Sequence, residues 1–397
     1  MNVPWNFSVA GEILFGQQSL NRLGTLCKRN RWHRALVISD ENLLAADLVD
    51  RACAILQSEC VDAFAFAETE REPAIETAEE AVSVSASFGA DVVIGLGGGS
   101  NMDLAKVVST VLACGGSPRD YFGFDCIPRP ILPLICIPTT AGTGSEVSHS
   151  AVLTDRAAEM KVSMQSAYLR PSVAIVDPTL AVTCPRQVTA ESGIDALVHA
   201  IEAYTARDAC DMPNGNAYSG RTPLTDTLCE RAIRLIGSYL VRAVEVPDDM
   251  EAREAMATAA LLAGMAFSNA GVAVVHALEY PLGAALHCSH GGGNGMLLPY
   301  VMRFNLPVRQ KAFGRIAELL GEETSGMNEL AAAEKAILAV ESLREQIGIP
   351  TSIRQIGGRE DQLAGFAEKA FAVTRLMHVN PRSVTCADLE AILNEAF

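Results

Sequence analysis

The absences in this sequence narrow its class. No run of about eighteen apolar residues occurs, so no segment reads as a membrane-spanning helix. Basic residues are outnumbered, 31 Lys and Arg against 47 Asp and Glu, for a net charge of −16. Nucleic acid or an anionic bilayer would be repelled by that field and is excluded as the main partner, although a local basic pocket can still take a small anion. The eleven cysteines include no C-x-x-C pair, and the N-terminus MNVPWNFSVAG lacks a charged stretch followed by an apolar one. Reduced thiols in a cytoplasmic protein are the expectation. There is no internal repeat, no low-complexity tract and no G-x-G-x-x-G fingerprint of dinucleotide binding.

What is present is enough for more than one core. At 397 residues, 49% hydrophobic and 20% charged, the chain predicts two domains. Up to about residue 180, short β-branched runs alternate with amphipathic stretches. Strands are expected at 34–40, around 64–66 and at 172–178, with strand running into loop at 90–99 and 133–146, and helices at 41–57, about 74–88 and 101–114. That alternation implies a parallel sheet covered on both faces, with ligands at the carboxyl ends of its strands. Beyond Pro185 helical periodicity dominates, at 187–206, 224–243, 248–270, 308–321, 327–347 and 360–372. The expected division is therefore an α/β domain over 1–184 and an all-helical domain over 185–397. Residues 207–223 read as one long polar loop, a length that often carries function.

Two glycine-rich loops follow expected strands. In GLGGGSNMDLAK (95–106), Gly97, Gly98 and Gly99 let backbone approach a ligand closely, and Ser100 is placed to cap the next helix, whose free amides suit a pyrophosphate. PTTAGTGSEVS (138–148) offers the hydroxyls of Thr139, Thr140 and Thr143. Together the loops describe two walls of a nucleotide site. Asp40, at the end of the strand RALVISD, either accepts hydrogen bonds from an adenosine ribose, favouring NAD over NADP, or caps the helix that begins at residue 41.

A second constellation is metal-like. Asp195 and His199 lie one helical turn apart in IDALVHAIEAY, and His276 and His290 flank the Pro/Gly-interrupted segment HALEYPLGAALHCSH. One carboxylate and three imidazoles suit a divalent transition metal. His287 competes with His290, which is favoured by the glycines after it, and Asp195 could instead serve a helix dipole.

These stretches, taken together with AIVDP, PLTD (223–226) and SHGGGNGMLLPYVMRFN, resemble the iron-containing (group III) alcohol dehydrogenases, in the family's order from about residue 95 to 305. The resemblance implies a dinucleotide-binding domain followed by a helical one, with the active site in the cleft between them. It implies that Asp195, His199, His276 and His290 hold a divalent cation, commonly Fe2+, with Zn2+ or Mn2+ also fitting the ligand set. It implies that Gly97, Gly98, Gly99 and Ser100 hold the pyrophosphate of NAD with Asp103 nearby. Thr139, Thr140 and Thr143 would then line the nucleotide, with Lys161 on a ribose hydroxyl and Asp40 on the adenosine ribose. A homodimer or higher homo-oligomer is implied as well.

One departure stands out. Many family members carry a histidine four residues after the third ligand, where this sequence has Tyr280, a poor neutral-pH base. Tyr280 and the insertion ending AYSGRTPLTD are more similar to the hydroxyacid-oxoacid transhydrogenase branch, in which Arg221 could meet a substrate carboxylate. The expected activity is NAD-linked interconversion of a small alcohol with its aldehyde or ketone, with His276 and Tyr280 at the reacting centre. The alternatives are transhydrogenation of a hydroxyacid with tightly held cofactor and a metal-independent reduction of the maleylacetate reductase type.

Overall fold

The structure is a computed structural model that describes residues 4–158, 160–213 and 218–397. Its strands are β1 (Glu12–Phe15), β2 (Arg34–Ile38), β3 (Asp62–Phe66), β4 (Val92–Gly97), β5 (Gly123–Phe124), β6 (Leu134–Pro138), β7 (Ser150–Asp155), β8 (Met160–Gln165) and β9 (Val173–Val176). Contacts divide the chain into two units. One comprises Val9–Thr140 and Gly144–Val182, and the other takes the residues up to Ser8, Ala141–Thr143 and Thr183–Phe397.

The first unit is an α/β layer structure. Its six-stranded sheet runs β1-β9-β6-β4-β2-β3 with every paired neighbour parallel. The apolar runs of β4, β6 and β9 are buried throughout, as strands covered on both faces should be. Period-two alternation sorts their side chains. Leu36 and Ile38 of β2 join one core cluster, which also takes residues of α4 (Ile75–Ser85) and α5 (Gly99–Cys114). Ala35 and Val37 join the other, with residues of α1 (Leu23–Arg29) and α3 (Leu48–Ser58). The order of strands reverses between β2 and β4, so the chain leaving their carboxyl ends, at Asp40 and Gly98, flanks the position where such sheets bind ligands.

Some local expectations change. The helix expected over 41–57 is broken into α2 (Glu41–Ala45) and α3, because Asp47 takes a left-handed conformation (φ 59°) that short polar side chains tolerate. A small second sheet, β5-β8-β7, and the edge strand β1 had no clear signal in the sequence.

The second unit is helical: α6 (Arg186–Thr205), α7 (Pro223–Glu245), α8 (Met250–Ala270), α9 (Val274–Leu286), α10 (His290–Leu319), α11 (Glu329–Gln346), α12 (Leu363–Phe371), α13 (Thr374–Val379) and α14 (Cys386–Glu395). Helix α6 is buried on nearly every side from Gly193 to Thr205 and packs against α7, α8 and α10, which makes it the axis of the unit. Pro223 at the first position and reciprocal bonds between Thr222 and Thr225 start α7. Helices α9 and the first half of α10 arise where interruption by proline and glycine had hidden them. A non-helical residue, Arg309, kinks α10 two positions after Pro307. Among the described residues no single helix is long and apolar enough to cross a membrane.

In the α/β unit, one cluster of polar contacts ties the second glycine loop to the helix that follows the first. The fully buried ammonium of Lys106 on α5 donates to Ser145 Oγ (2.7 Å), Ser148 Oγ (2.9 Å) and the Ser150 carbonyl (2.7 Å). Asp103, one turn earlier, accepts from Ser145 Oγ (2.6 Å) and from the amide of Val152 (2.9 Å). Burial pushes the Lys106 pKa down against the pull of Asp103, so its charge rests on these partners. Removing one member of such a buried set is costly, and Lys106→Met should lower the unfolding free energy by about 3–5 kcal/mol. Urea denaturation of the full chain measures it; an unchanged midpoint and slope would refute the tie.

Candidate metal centre

The centre is assembled on α6, α9 and α10. Asp195 and His199 project from α6 one turn apart, with His199 Nδ1 3.8 Å from Asp195 Oδ2. His276 comes from the first turn of α9, its ring stacked 4.8 Å from that of His199. Ligand atoms of Asp195, His199 and His276 all lie within 4.8 Å of one another, and the three residues are buried. His290, the first residue of α10, sits at the edge of this trio, its ring 5.3 Å from that of His276 and its side chain about a third exposed (32%). His287 ends α9 on the surface and takes no part.

The donor set fits a cation. His199 Nδ1 and His276 Nε2 are buried ring nitrogens with no hydrogen-bond partner among the described residues, an arrangement that costs free energy unless something satisfies the lone pairs. Burial pushes the His199 pKa down to about 3 despite the neighbouring Asp195. Burial alone would raise the carboxyl of Asp195, but the three histidines and a bond from Asn294 Nδ2 to its Oδ1 (2.8 Å) bring it below its ordinary value. An ionised carboxylate beside neutral imidazole is the protonation state a divalent ion requires. Phe267 of α8 stacks 4.2 Å from His199 and gives this side an apolar wall.

The placement of His290 follows from glycine. Ser289 caps α10 through the amide of Gly292 (3.2 Å). A Cβ on Gly291 would stand 2.1 Å from the carbonyl oxygen of Glu191, and one on Gly295 would stand 2.7 Å from Ile194. Glycine here buys close approach of α10 to α6, which brings His290 beside Asp195.

Several neighbours went unread in the sequence. Glu202 accepts from His276 Nδ1 and Glu279 from His290 Nδ1, each at 2.6 Å. Asn294, Phe267 and Arg375 were likewise not singled out. A signal existed for the two glutamates: His-Ala-Ile-Glu at 199–202 and His-Ala-Leu-Glu at 276–279 repeat one spacing, with the acid on the same helix face as the histidine. Tyr280 is buried on α9, its ring 6.4 Å from that of His290, and its hydroxyl accepts from Arg375 Nη2 at 3.4 Å. Arg221 does not offer its fork to a ligand. It binds Asp226 through Nε (3.2 Å) and Nη2 (2.6 Å) and lies over Tyr204. Its loop is partly ordered by the pairing of Asp208 with Arg221, while residues 214–217 lie outside the described residues.

The α/β unit holds most of the expected nucleotide residues. Gly97 has φ +144°, and a Cβ there would meet Asn101 Nδ2 at 1.9 Å. That amide donates to Asp40 Oδ2 (2.6 Å), while Asp40 Oδ1 accepts from the amides of Asn42 and Leu43 as the cap of α2. Gly98, not Ser100, is the N-cap of α5, and the Ser100 hydroxyl donates to the Arg71 carbonyl. Gly98 and Gly99 are half-buried, and the nearest atoms to a Cβ on Gly98 belong to Thr140 at 3.9 Å, so the loop is open above its backbone. The Thr139 amide donates to the Gly97 carbonyl (3.0 Å). Lys161 pairs with Glu72 (3.1 Å), and Asp103 is committed to the second loop as described. Thr143 is half-buried and belongs to the helical unit.

Known proteins match this chain along its length. The profile for the iron-containing alcohol dehydrogenases matches residues 10–178, and that for the C-terminal part of the Fe-containing alcohol dehydrogenase family matches 189–397. The NAD-dependent methanol dehydrogenase of Bacillus methanolicus is 37% identical over 98% of this chain and 99% of its own. The 1,3-propanediol dehydrogenase of Klebsiella pneumoniae is 35% identical, covering 99% of each chain. A crystal structure of a 1,3-propanediol oxidoreductase superposes with a TM-score of 0.94 at 34% identity, covering 100% of both chains.

Gly291→Ala tests the packing that seats His290. The added methyl must push α10 off α6, and destabilisation of about 1–3 kcal/mol is expected in thermal or urea unfolding. Wild-type stability would mean that the close approach is not needed.

Proposed function

The chain belongs to the iron-containing alcohol dehydrogenase family, an NAD-dependent alcohol dehydrogenase of the iron type, and from that premise we propose that it interconverts a small alcohol and its aldehyde or ketone at the α6–α9–α10 centre. The observation that carries this reading is the convergence of Asp195, His199 and His276 with two unpartnered ring nitrogens. Asp195, His199, His276 and His290 would hold the cation, Fe2+ by preference, with Zn2+ and Mn2+ compatible with the same donors. When bound, such a cation supplies Lewis-acid polarisation of the substrate oxygen, and NAD supplies the hydride acceptor.

The chain's own residues do the rest. The amides at the start of α5, opened by Gly97, Gly98 and Gly99, face the pyrophosphate, with Ser100 and Asp103 fixing the loop and Thr139, Thr140 and Thr143 offering hydroxyls. Asp40, ordered by its cap bonds and by Asn101, meets the adenosine ribose, and Lys161 a ribose hydroxyl. Phe267 keeps water from one side of His199. The Tyr280 hydroxyl, which accepts from the Arg375 guanidinium, stands near His290 as the second group of the reacting centre. A reducing cytoplasm suits the eleven free cysteines, and a homodimer or higher homo-oligomer completes the proposal.

A second reading, an alcohol that bears a carboxylate, is favoured by Arg375. Among the described residues this guanidinium has no carboxylate partner, and its Nε is buried without a hydrogen bond. On this reading the fork of Arg375, and not that of Arg221, meets the substrate carboxylate.

A substrate panel followed by NADH absorbance, with Fe2+ or Zn2+ returned to stripped protein, tests both readings. Turnover of uncharged alcohols that depends on added metal is expected, whereas full turnover without metal would favour the maleylacetate reductase type. His276→Ala should keep its fold but lose metal and at least about a thousandfold in kcat/KM, since such stabilisation is worth several kcal/mol. Should the carboxylate reading hold, Arg375→Ala will raise KM for hydroxyacids about 10- to 100-fold and leave uncharged alcohols unchanged. Exchange between hydroxyacid and oxoacid without added NAD would instead favour transhydrogenation.

A further inference from the structure

Glu202 and Glu279 stand behind two imidazoles in the same manner, and both are buried. Oε2 of Glu202 accepts from His276 Nδ1 at 2.6 Å and from the Ala273 amide at 2.9 Å, and Oε1 accepts from the Val275 amide at 2.8 Å. We propose that Glu202 and Glu279 are positioning residues for the cation: each holds its histidine as the Nδ1–H form with the ring plane fixed, so that Nε2 of His276 and Nε2 of His290 face one ion. The inference deepens the reading of this site as a metal centre and rests on it.

The hydrogen bonds themselves assign the proton. Backbone amides donate to both oxygens of Glu202, so the hydrogen between Oε2 and Nδ1 comes from the imidazole. That leaves Nε2 of His276 with the lone pair, and this nitrogen is buried without a hydrogen-bond partner among the described residues. For His290 the other nitrogen decides. Its Nε2 lies 3.2 Å from Asn294 Nδ2, whose amide group also donates to Asp195 Oδ1. A nitrogen facing a donor acts as acceptor, so the proton of His290 is again on Nδ1, toward Glu279 Oε2.

Glu202 does one thing more. Ala273 is the N-cap of α9 and Val275 lies in its first turn, which carries His276, and the carboxylate that answers their amides comes from α6, the helix of Asp195 and His199. One side chain thus fixes both the imidazole and the helix end that bears it, relative to the other two ligands. Partners of this kind are typically worth 10- to 100-fold in metal affinity.

The test is Zn2+ affinity of the full chain by chelator competition, for wild type and for Glu202→Gln, Glu279→Gln, Glu279→Leu and, as a control on a carboxylate bonded to Arg315 and Tyr204, Glu230→Gln. Wild type and E230Q should bind alike. E279L, which removes the acceptor, should bind about 10- to 100-fold more weakly. E279Q keeps an acceptor oxygen and should fall between, a partial rescue that loss of packing alone would not produce. E202Q should also weaken binding, because its amide group must oppose one of the amides or the imidazole N–H. If E279L does not fold, the two glutamine variants carry the comparison. Equal Zn2+ affinity in wild type, E202Q and E279Q overturns this inference and leaves the metal reading intact. Failure of the wild-type chain to bind Zn2+ overturns both.

Discussion

A carboxylate and two imidazoles held together inside a helical core are stable only if their lone pairs are answered, and the helical unit is organised around that demand. Asp195 is satisfied on one side by Asn294. His276 and His290 are held from behind by buried glutamates. What remains on the inner side are His199 Nδ1 and His276 Nε2, which have no hydrogen-bond partner among the described residues, beside a carboxylate whose pKa is held below its ordinary value. Filling the site with the proposed cation would offset the cost of burying these groups and couple binding to local order.

Packing delivers these side chains to that point. From Gly193 to Ala203 helix α6 is buried and apolar except where Asp195, His199 and Glu202 interrupt it, so these three polar groups must find partners inside the fold and not in water. The approach of α10 depends on Gly291 and Gly295, which let backbone contact backbone where any side chain would intervene. The α/β unit solves a different problem with similar economy. The loop after β6 is pinned to α5 by the buried Lys106 and by Asp103, the backbone of Gly98 stays open, and Asn101 orients the carboxylate of Asp40.

Much of this was legible in the sequence, and the gaps have physical causes. The buried parallel strands announced themselves as continuous apolar runs between amphipathic stretches, and the pattern changed where the helical region began. The spacing of Asp195 and His199 exposed one helix face. Helix α9 and the start of α10 were hidden because glycine and proline usually end helices, whereas here Pro281 and the glycines of 291–295 serve packing within them. Ser100 was read as a cap by residue type, but the chain turns two residues earlier and Gly98 takes that position. Arg221 looked available because its partner, Asp226, is joined to it only by the folding of the α7 start. Glu202 and Glu279 were missed because a carboxylate on an apolar helix face reads as a surface group until its partner on another helix is known.

X-ray absorption at the metal edge of the purified, loaded protein tests the central claim most directly, because it reports the atoms around the ion without reference to activity. The expected spectrum has only nitrogen and oxygen neighbours, at about 2.0–2.2 Å, with the outer-shell scattering of several imidazoles. A sulfur neighbour near about 2.3 Å, or a shell of oxygen without imidazole, would contradict the assignment of Asp195, His199, His276 and His290 as the ligands.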